Sequence, residues 1–148
     1  MASSFFEWTY FKVEESMKIV NPYFLLDLLG PITGRGDDDE EVEKYKYIDS
    51  SDETHYRTII NELFIDYYLG MNEQNQGKAK LALSYYLSRS ELDFERIFES
   101  CLPPFDPPKD PRDFFVWIWE ALFNGESYEI DPSEEYKIVA DVNELNRI

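Results

Sequence analysis

Five prolines stand between Pro103 and Pro111 in the stretch PPFDPPKDP, and they limit the possible architectures more sharply than any other feature. Proline has no amide hydrogen to donate and pushes the residue before it toward extended geometry, so neither a helix nor a central strand can run through this stretch. Residues 103–111 therefore read as a stiff, proline-rich connector. The chain then restarts cleanly: Asp110 can cap a helix, Pro111 suits its first position, and Asp113 adds negative charge in its first turn. The following FFVWIWEALFNG is apolar on nearly every side from Phe114 to Phe123 apart from Glu120. It predicts a central helix wrapped by others and ended by Gly125. A buried strand is the alternative, because Phe, Val, Trp and Ile also favour sheet.

Upstream, ETHYRTIINELFIDYYLG repeats Tyr56, Ile59, Ile60, Leu63, Phe64, Tyr67 and Tyr68 at three- and four-residue steps, one stripe of a helix that Gly70 stops. GKAKLALSYYLSRS predicts a second helix of about three turns. In SELDFERIFESCL, Ser90 can cap a further helix with Asp93 three residues on, and Leu92, Ile97, Phe98 and Cys101 share a face. NPYFLLDLLGP reads as a short helix closed by Gly30 and Pro31, and Ser4 with Glu7 makes a capping-box pattern ahead of an aromatic segment. The tail over 127–148 fits two forms. Tyr128 and Ile130 can alternate against Tyr136, Ile138 and Ala140 in a hairpin, while DPSE is equally a helix start.

With 148 residues, 43% hydrophobic content, 11 Phe, 11 Tyr and 3 Trp, the chain can bury one core without staples. No internal repeat is visible. The expected fold class is mainly α, a single-domain helical bundle over 1–148, with the C-terminal hairpin as an optional small β element.

Charge is the outlying quantity. There are 31 acids and 14 bases, a net of −17, where solubility needs a magnitude of only about 2 to 8. Such an excess repels itself, and a cationic partner is one reason for it; the plainer reason is that acidic proteins are common. The distribution is uneven. Residues 34–54 carry nine acids and three bases, a net of −6, and residues 110–148 carry ten and three, a net of −7. Residues 75–109 carry five of each and are electrically bland.

Familiar catalytic patterns are missing. His55 is the single histidine, so a mechanism needing two is excluded, and there is no G-x-S-x-G or H-E-x-x-H. GMNEQNQGKA fails as a phosphate loop, because the spacing from Gly70 to Gly77 is too long and Ala79 has no hydroxyl for a magnesium ion. Carboxylate pairs are so numerous that spacing singles out none. Counted from Asp37, a calcium loop would need glycine where Val42 stands and glutamate where Ile48 stands. Cys101 is alone, which excludes an internal disulfide framework and a multi-cysteine zinc site. The RGD tripeptide at Arg35–Asp37 is short enough to arise by chance. The opening MASSFFEWTYFKVEES lacks a basic start, and no run reaches the roughly 18 apolar residues of a membrane span. The expectations are a cytoplasmic protein without cofactor, metal, membrane or nucleic-acid binding.

The acidic segments remain as recognition surfaces. In the acidic loop 34–54, Asp37, Asp38, Asp39, Glu40, Glu41, Glu43, Asp49, Asp52 and Glu53 would supply a negative field, and Tyr45 and Tyr47 amphipathic contacts. Carboxylates at this density can imitate a phosphate backbone to a nuclease or other basic protein. A second surface would use Glu126, Glu129, Asp131, Glu134 and Glu135, and exposure of Trp117 or Trp119 beside them would favour it.

Small, acidic, tyrosine-rich chains of this kind resemble bacterial toxin-immunity proteins, including those of contact-dependent growth inhibition systems. FIDYYLG, with Asp66, Tyr67 and Tyr68, is similar to the acid-plus-tyrosine-pair feature of immunity proteins for DNase colicins. The resemblance implies a non-enzymatic inhibitor whose partner is a basic protein, a cognate nuclease toxin domain. The alternatives are a DNA-mimic anti-defence protein and a carboxylate-dependent enzyme, which two buried acids in a deep pocket would favour.

Overall fold

A computed structural model describes residues 17–89 and 92–146. Strand β1 (Lys18–Val20) leads into α1 (Tyr23–Leu28), then a 3₁₀ turn (Arg35–Asp37) and α2 (Asp39–Lys44). Next come α3 (Glu53–Ile59), a π turn (Ile60–Phe64) and α4 (Ile65–Leu69), followed by α5 (Glu73–Leu87), α6 (Phe94–Ser100) and α7 (Pro111–Leu122). Strand β2 (Tyr136–Ile138) and a 3₁₀ turn (Val142–Asn146) close the described chain. The fold is mainly α, as its periodicity predicts, with one small sheet. No described helix is long and apolar enough to cross a membrane.

Helix α7 is the centre of the core. Phe114, Phe115, Trp117, Ile118 and Trp119 are buried, while Glu120 is exposed. Its start is the predicted one, with the Asp110 carboxylate accepting from the Arg112 amide at 3.2 Å and Pro111 in the first turn. Phe114 meets Phe98 at 5.1 Å and Phe64 at 5.7 Å, both edge-on. Such pairs add about 0.5–1.5 kcal/mol each beyond the area they bury. The stripe on α3 and the π turn packs here too, with Tyr56, Ile59, Ile60 and Phe64 fully buried. The π turn puts one wide turn into that helix, a feature that sequence periodicity does not reveal.

Several local expectations are corrected. Helix α5 starts at Glu73, with the Asn72 side chain accepting from the Asn75 amide at 2.8 Å, so Gly77 lies inside the helix. Helix α6 is capped by Asp93, whose carboxylate accepts from the Arg96 amide at 3.1 Å. Ser90 and the Ser4/Glu7 capping box lie outside the described residues.

The tail forms neither a hairpin nor an α-helix. Strand β2 pairs in parallel with β1, Ile19 opposite Lys137. A local partner for Tyr128 and Ile130 is pre-empted by α5: the Ser84 and Ser88 hydroxyls donate to the Tyr128 carbonyl at 2.6 and 3.0 Å. The Ile130 amide in turn donates to the Ser88 oxygen at 3.0 Å. Asn21, the one buried polar side chain among the described residues, ties the two ends together. Its amide donates to the Asp141 carbonyl at 2.7 Å and to Glu144 Oε1 at 2.9 Å, and its oxygen accepts from the Tyr23 amide at 3.1 Å.

Candidate functional site

The acidic segment and the proline connector, far apart in sequence, pack against each other. The Gly34 amide donates to the Cys101 carbonyl at 2.7 Å, and the Gly36 amide to the Leu102 carbonyl at 2.8 Å. A Cβ at Gly36 would lie 2.7 Å from the Pro103 carbonyl oxygen, so only glycine permits this approach. At the other end of the segment, the Lys109 amide donates to the Ser50 carbonyl at 3.1 Å. The segment is thus held at both ends by the residues around the connector. Tyr56 braces the connector from within the core, its hydroxyl donating to the Asp106 carbonyl at 2.9 Å. Burial pushes the Tyr56 hydroxyl up to about 12, so it stays a donor throughout the physiological range.

Residues 34–54 are accordingly not a structureless loop. They contain the 3₁₀ turn and α2, which starts because the Asp38 carboxylate accepts from the Glu40 amide at 2.9 Å. Asp39, Glu40 and Glu41 then occupy the first turn, the end of a helix that favours negative charge. The candidate residues fall into three groups. Asp37, Asp39 and Glu40 are exposed, and their carboxylates make no hydrogen bond or ion pair among the described residues. Asp38, Asp49 and Asp52 turn inward on their own backbone. Asp52 caps α3, and Asp49 accepts from the Ser51 amide at 2.9 Å and the Ser51 hydroxyl at 2.7 Å. Those hydrogen bonds hold both carboxyls below the usual aspartate value, for Asp49 chiefly through the Ser51 amide and for Asp52 chiefly through the Thr54 hydroxyl. Glu41, Glu43 and Glu53 have cationic neighbours: Arg35 at 3.1 Å, Lys46 at 4.0 Å and Arg57 at 2.6 Å.

The two tyrosines separate completely. Tyr47 is 54% exposed and meets the His55 ring edge-on at 5.2 Å. Tyr45 is not available as a contact; it is buried, with its ring edge-on to Phe105 at 5.6 Å. Amphipathic residues serve either place, and the connector's one phenylalanine needed a lid. His55 organises the same turn. Its Nδ1 accepts from the Asp49 amide at 3.1 Å, which places the proton on Nε2, 3.2 Å from Asp52 Oδ2.

The second acidic surface lacks the exposed tryptophan that would favour it, since Trp117 and Trp119 are both buried. Trp119 Nε1 donates to the Glu126 carbonyl at 2.8 Å, and the Glu126 carboxylate is held by Lys80 at 2.8 Å. The pair Tyr67 and Tyr68 is half-buried with both hydroxyls engaged, Tyr67 on Asp27 at 3.1 Å and Tyr68 on the Gln76 carbonyl at 3.2 Å. Desolvation first, then Asp27, pushes the Tyr67 hydroxyl up to about 12.

No acidic residue is fully buried among the described residues, although Glu41 Oε2 is shielded from solvent without a hydrogen-bond partner, and no three metal-ligating side chains are grouped to hold an ion. A cleft of about 390 Å³ between the π turn and α7 holds a single acid, Glu120, bound to Arg57 at 2.6 Å. Cys101 is buried, and desolvation pushes its thiol up to about 11, leaving it protonated and unreactive at neutral pH.

Sequence reading missed the connector's part in this site. A cleft of about 240 Å³ opens between it and the 3₁₀ turn, and it includes Glu99 and Asp106 from the stretch whose charges cancel in the linear count. Their only signal was proximity to the prolines. No protein-family model, curated protein or solved structure matches the chain.

Proposed function

We propose that this protein is a non-enzymatic inhibitor that binds a basic protein through residues 34–54, acting as the immunity protein of a nuclease toxin. The observation that carries the reading is the trio Asp37, Asp39 and Glu40. They are exposed, free of intramolecular cations among the described residues, and set on a backbone anchored at both ends to the connector region. Carboxylates that must first break an ion pair contribute little to capture, whereas these three are ready to meet a cation. Tyr47, exposed at the end of the same segment, suits the aromatic contact that holds a complex after electrostatic encounter. A net charge of −17 extends the attraction and speeds encounter about ten- to a thousand-fold at low salt.

The test is kinetic. A basic nuclease domain encoded by a neighbouring gene, the partner this reading requires, is mixed with the wild type and with the variant Asp37→Asn/Asp39→Asn/Glu40→Gln, and association rates are followed across a salt series. The variant is expected to associate about tenfold more slowly at low salt and to converge with the wild type at high salt. Equal rates at every ionic strength would remove the segment from the interface. Capture of a restriction or other defence enzyme instead would move the protein to the DNA-mimic reading.

A further inference from the structure

We propose that the cleft between the acidic segment and the proline connector seats an arginine side chain of the basic partner, an inference that rests on the inhibitor reading and names its anchor point. The cleft, about 240 Å³, has apolar walls of Leu102, Pro103 and Pro107 above the buried Phe105. Three acidic residues from three different parts of the fold line it: Asp37 on the 3₁₀ turn, Glu99 on α6 and Asp106 in the connector. All three are exposed, none has a side-chain partner among the described residues, and no lysine or arginine lines the cleft. Apolar walls beside acidic residues suit a ligand with a hydrocarbon stem and a cationic head. Neutral polar ligands gain nothing from the acids, and anions are repelled. The carboxylates are not gathered closely enough to cage a metal ion, since no such group of three exists among the described residues.

Between the two basic side chains the geometry favours arginine. Its planar guanidinium is weakly hydrated and sends five donors outward toward acids in different directions. A lysine ammonium is a compact, strongly hydrated point charge that can satisfy fewer of them. The cleft is also built before the partner arrives. Gly36 and Leu102 are joined through the 2.8 Å backbone hydrogen bond, and Asp106 is held through the Tyr56 hydroxyl at 2.9 Å. Little ordering is left to oppose binding. Leu102 fits the same picture. It follows the C-cap of α6 with φ of 54°, a conformation that favours glycine, yet it carries a side chain that is 53% exposed at the cleft. A residue kept there against its backbone preference can cover the stem of a seated arginine.

The experiment is an amide-resolved NMR titration of the full chain with N-acetyl-arginine amide, N-acetyl-lysine amide and N-acetyl-citrulline amide, the last a neutral isostere of arginine. Saturable shifts centred on Gly36, Glu99, Leu102 and Phe105 are expected with arginine, weaker ones with lysine, and none with citrulline. The variant Asp37→Asn/Asp106→Asn should lose about tenfold in arginine affinity, as charge-assisted hydrogen bonds are removed. Leu102→Gly should fold and bind arginine more weakly, and Glu62→Gln, exposed on the π turn outside the cleft, should bind as the wild type does. Shifts that spread over the acidic face without saturating, or that survive in the double variant, would overturn the proposal. The two readings fail differently. If arginine saturates the cleft while toxin association ignores salt, the cleft stands and the inhibitor reading falls. If toxin binds the double variant with full affinity, the anchor falls and the inhibitor reading stands.

Discussion

Residues 34–54 and residues 110–148 carry nearly the same excess charge, −6 and −7, and each pairs or caps six of its acids, yet the acids left over are arranged differently. In the tail, three acids are taken up by cations from distant helices: Glu120 by Arg57, Glu126 by Lys80 and Glu144 by Lys78. Asp110, Asp131 and Asp141 turn back onto backbone amides two residues ahead. In the acidic segment three acids also have cationic neighbours, but Asp37, Asp39 and Glu40 remain unengaged within four consecutive residues, whereas the exposed unengaged acids of the tail, Glu129 and Glu135, stand six positions apart. Net charge therefore does not locate a recognition surface. The relevant quantity is the charge left over once the fold has made its own pairs. Two of the five bases that make residues 75–109 electrically neutral on paper, Lys78 and Lys80, pair with acids of the tail.

The contrast can be tested at the anchor of each region. Tyr45→Ala removes the ring that pins the acidic segment to Phe105, and should cost about 3 kcal/mol in urea unfolding, with the amides of α2 exchanging faster. Unchanged exchange in α2 would mean that the segment is held by its backbone hydrogen bonds alone. Asn21→Ala strips the buried knot that ties the tail to β1 and should cost about 2 kcal/mol. Faster exchange of the Val139 amide, which donates to the Val20 carbonyl at 2.9 Å, should accompany it while α2 is unaffected. Loss of protection in both regions would show that they fold as one unit and erase the distinction.

The smallest effect is in acid. Asp49 and Asp52 have folded-state values below the ordinary 3.8, so they favour the fold above that value, and the contribution disappears as pH falls through their lowered values. Asp113 runs the other way, since burial and the neighbouring Asp110 raise it, which opposes folding once it ionises. Asp52→Asn should flatten the fall of stability below pH 3.8 while leaving the shape above it unchanged, as read by urea midpoints across the acid range. A change confined to neutral pH would assign Asp52 to something other than its cap.

Much of the scaffold was legible beforehand because it depends on local rules. The start of α7 at Asp110 and Pro111 and the stripe from Tyr56 to Tyr68 follow from capping geometry and the helical repeat. Tyr45 and Tyr47 show the limit. Both are tyrosines in the same acidic stretch, two residues apart, and nothing local says which one Phe105 will cover. Ser84 and Ser88 likewise decided the fate of Tyr128 and Ile130 from about forty residues away, so an alternation that suited a hairpin was claimed by a helix.

The sequence alone determined the surplus of carboxylates, the helical class and the stiff break at the prolines, since these depend on composition and on neighbours along the chain. Only the tertiary structure decided which acids remain available. Ion pairs such as Lys78 with Glu144 and Arg57 with Glu120 join residues 66 and 63 positions apart. It also laid the acidic segment on the connector, bringing Glu99 and Asp106 beside Asp37. Electrostatic attraction acts through space, so which charges cancel is fixed by distance in the folded molecule and not by order in the chain.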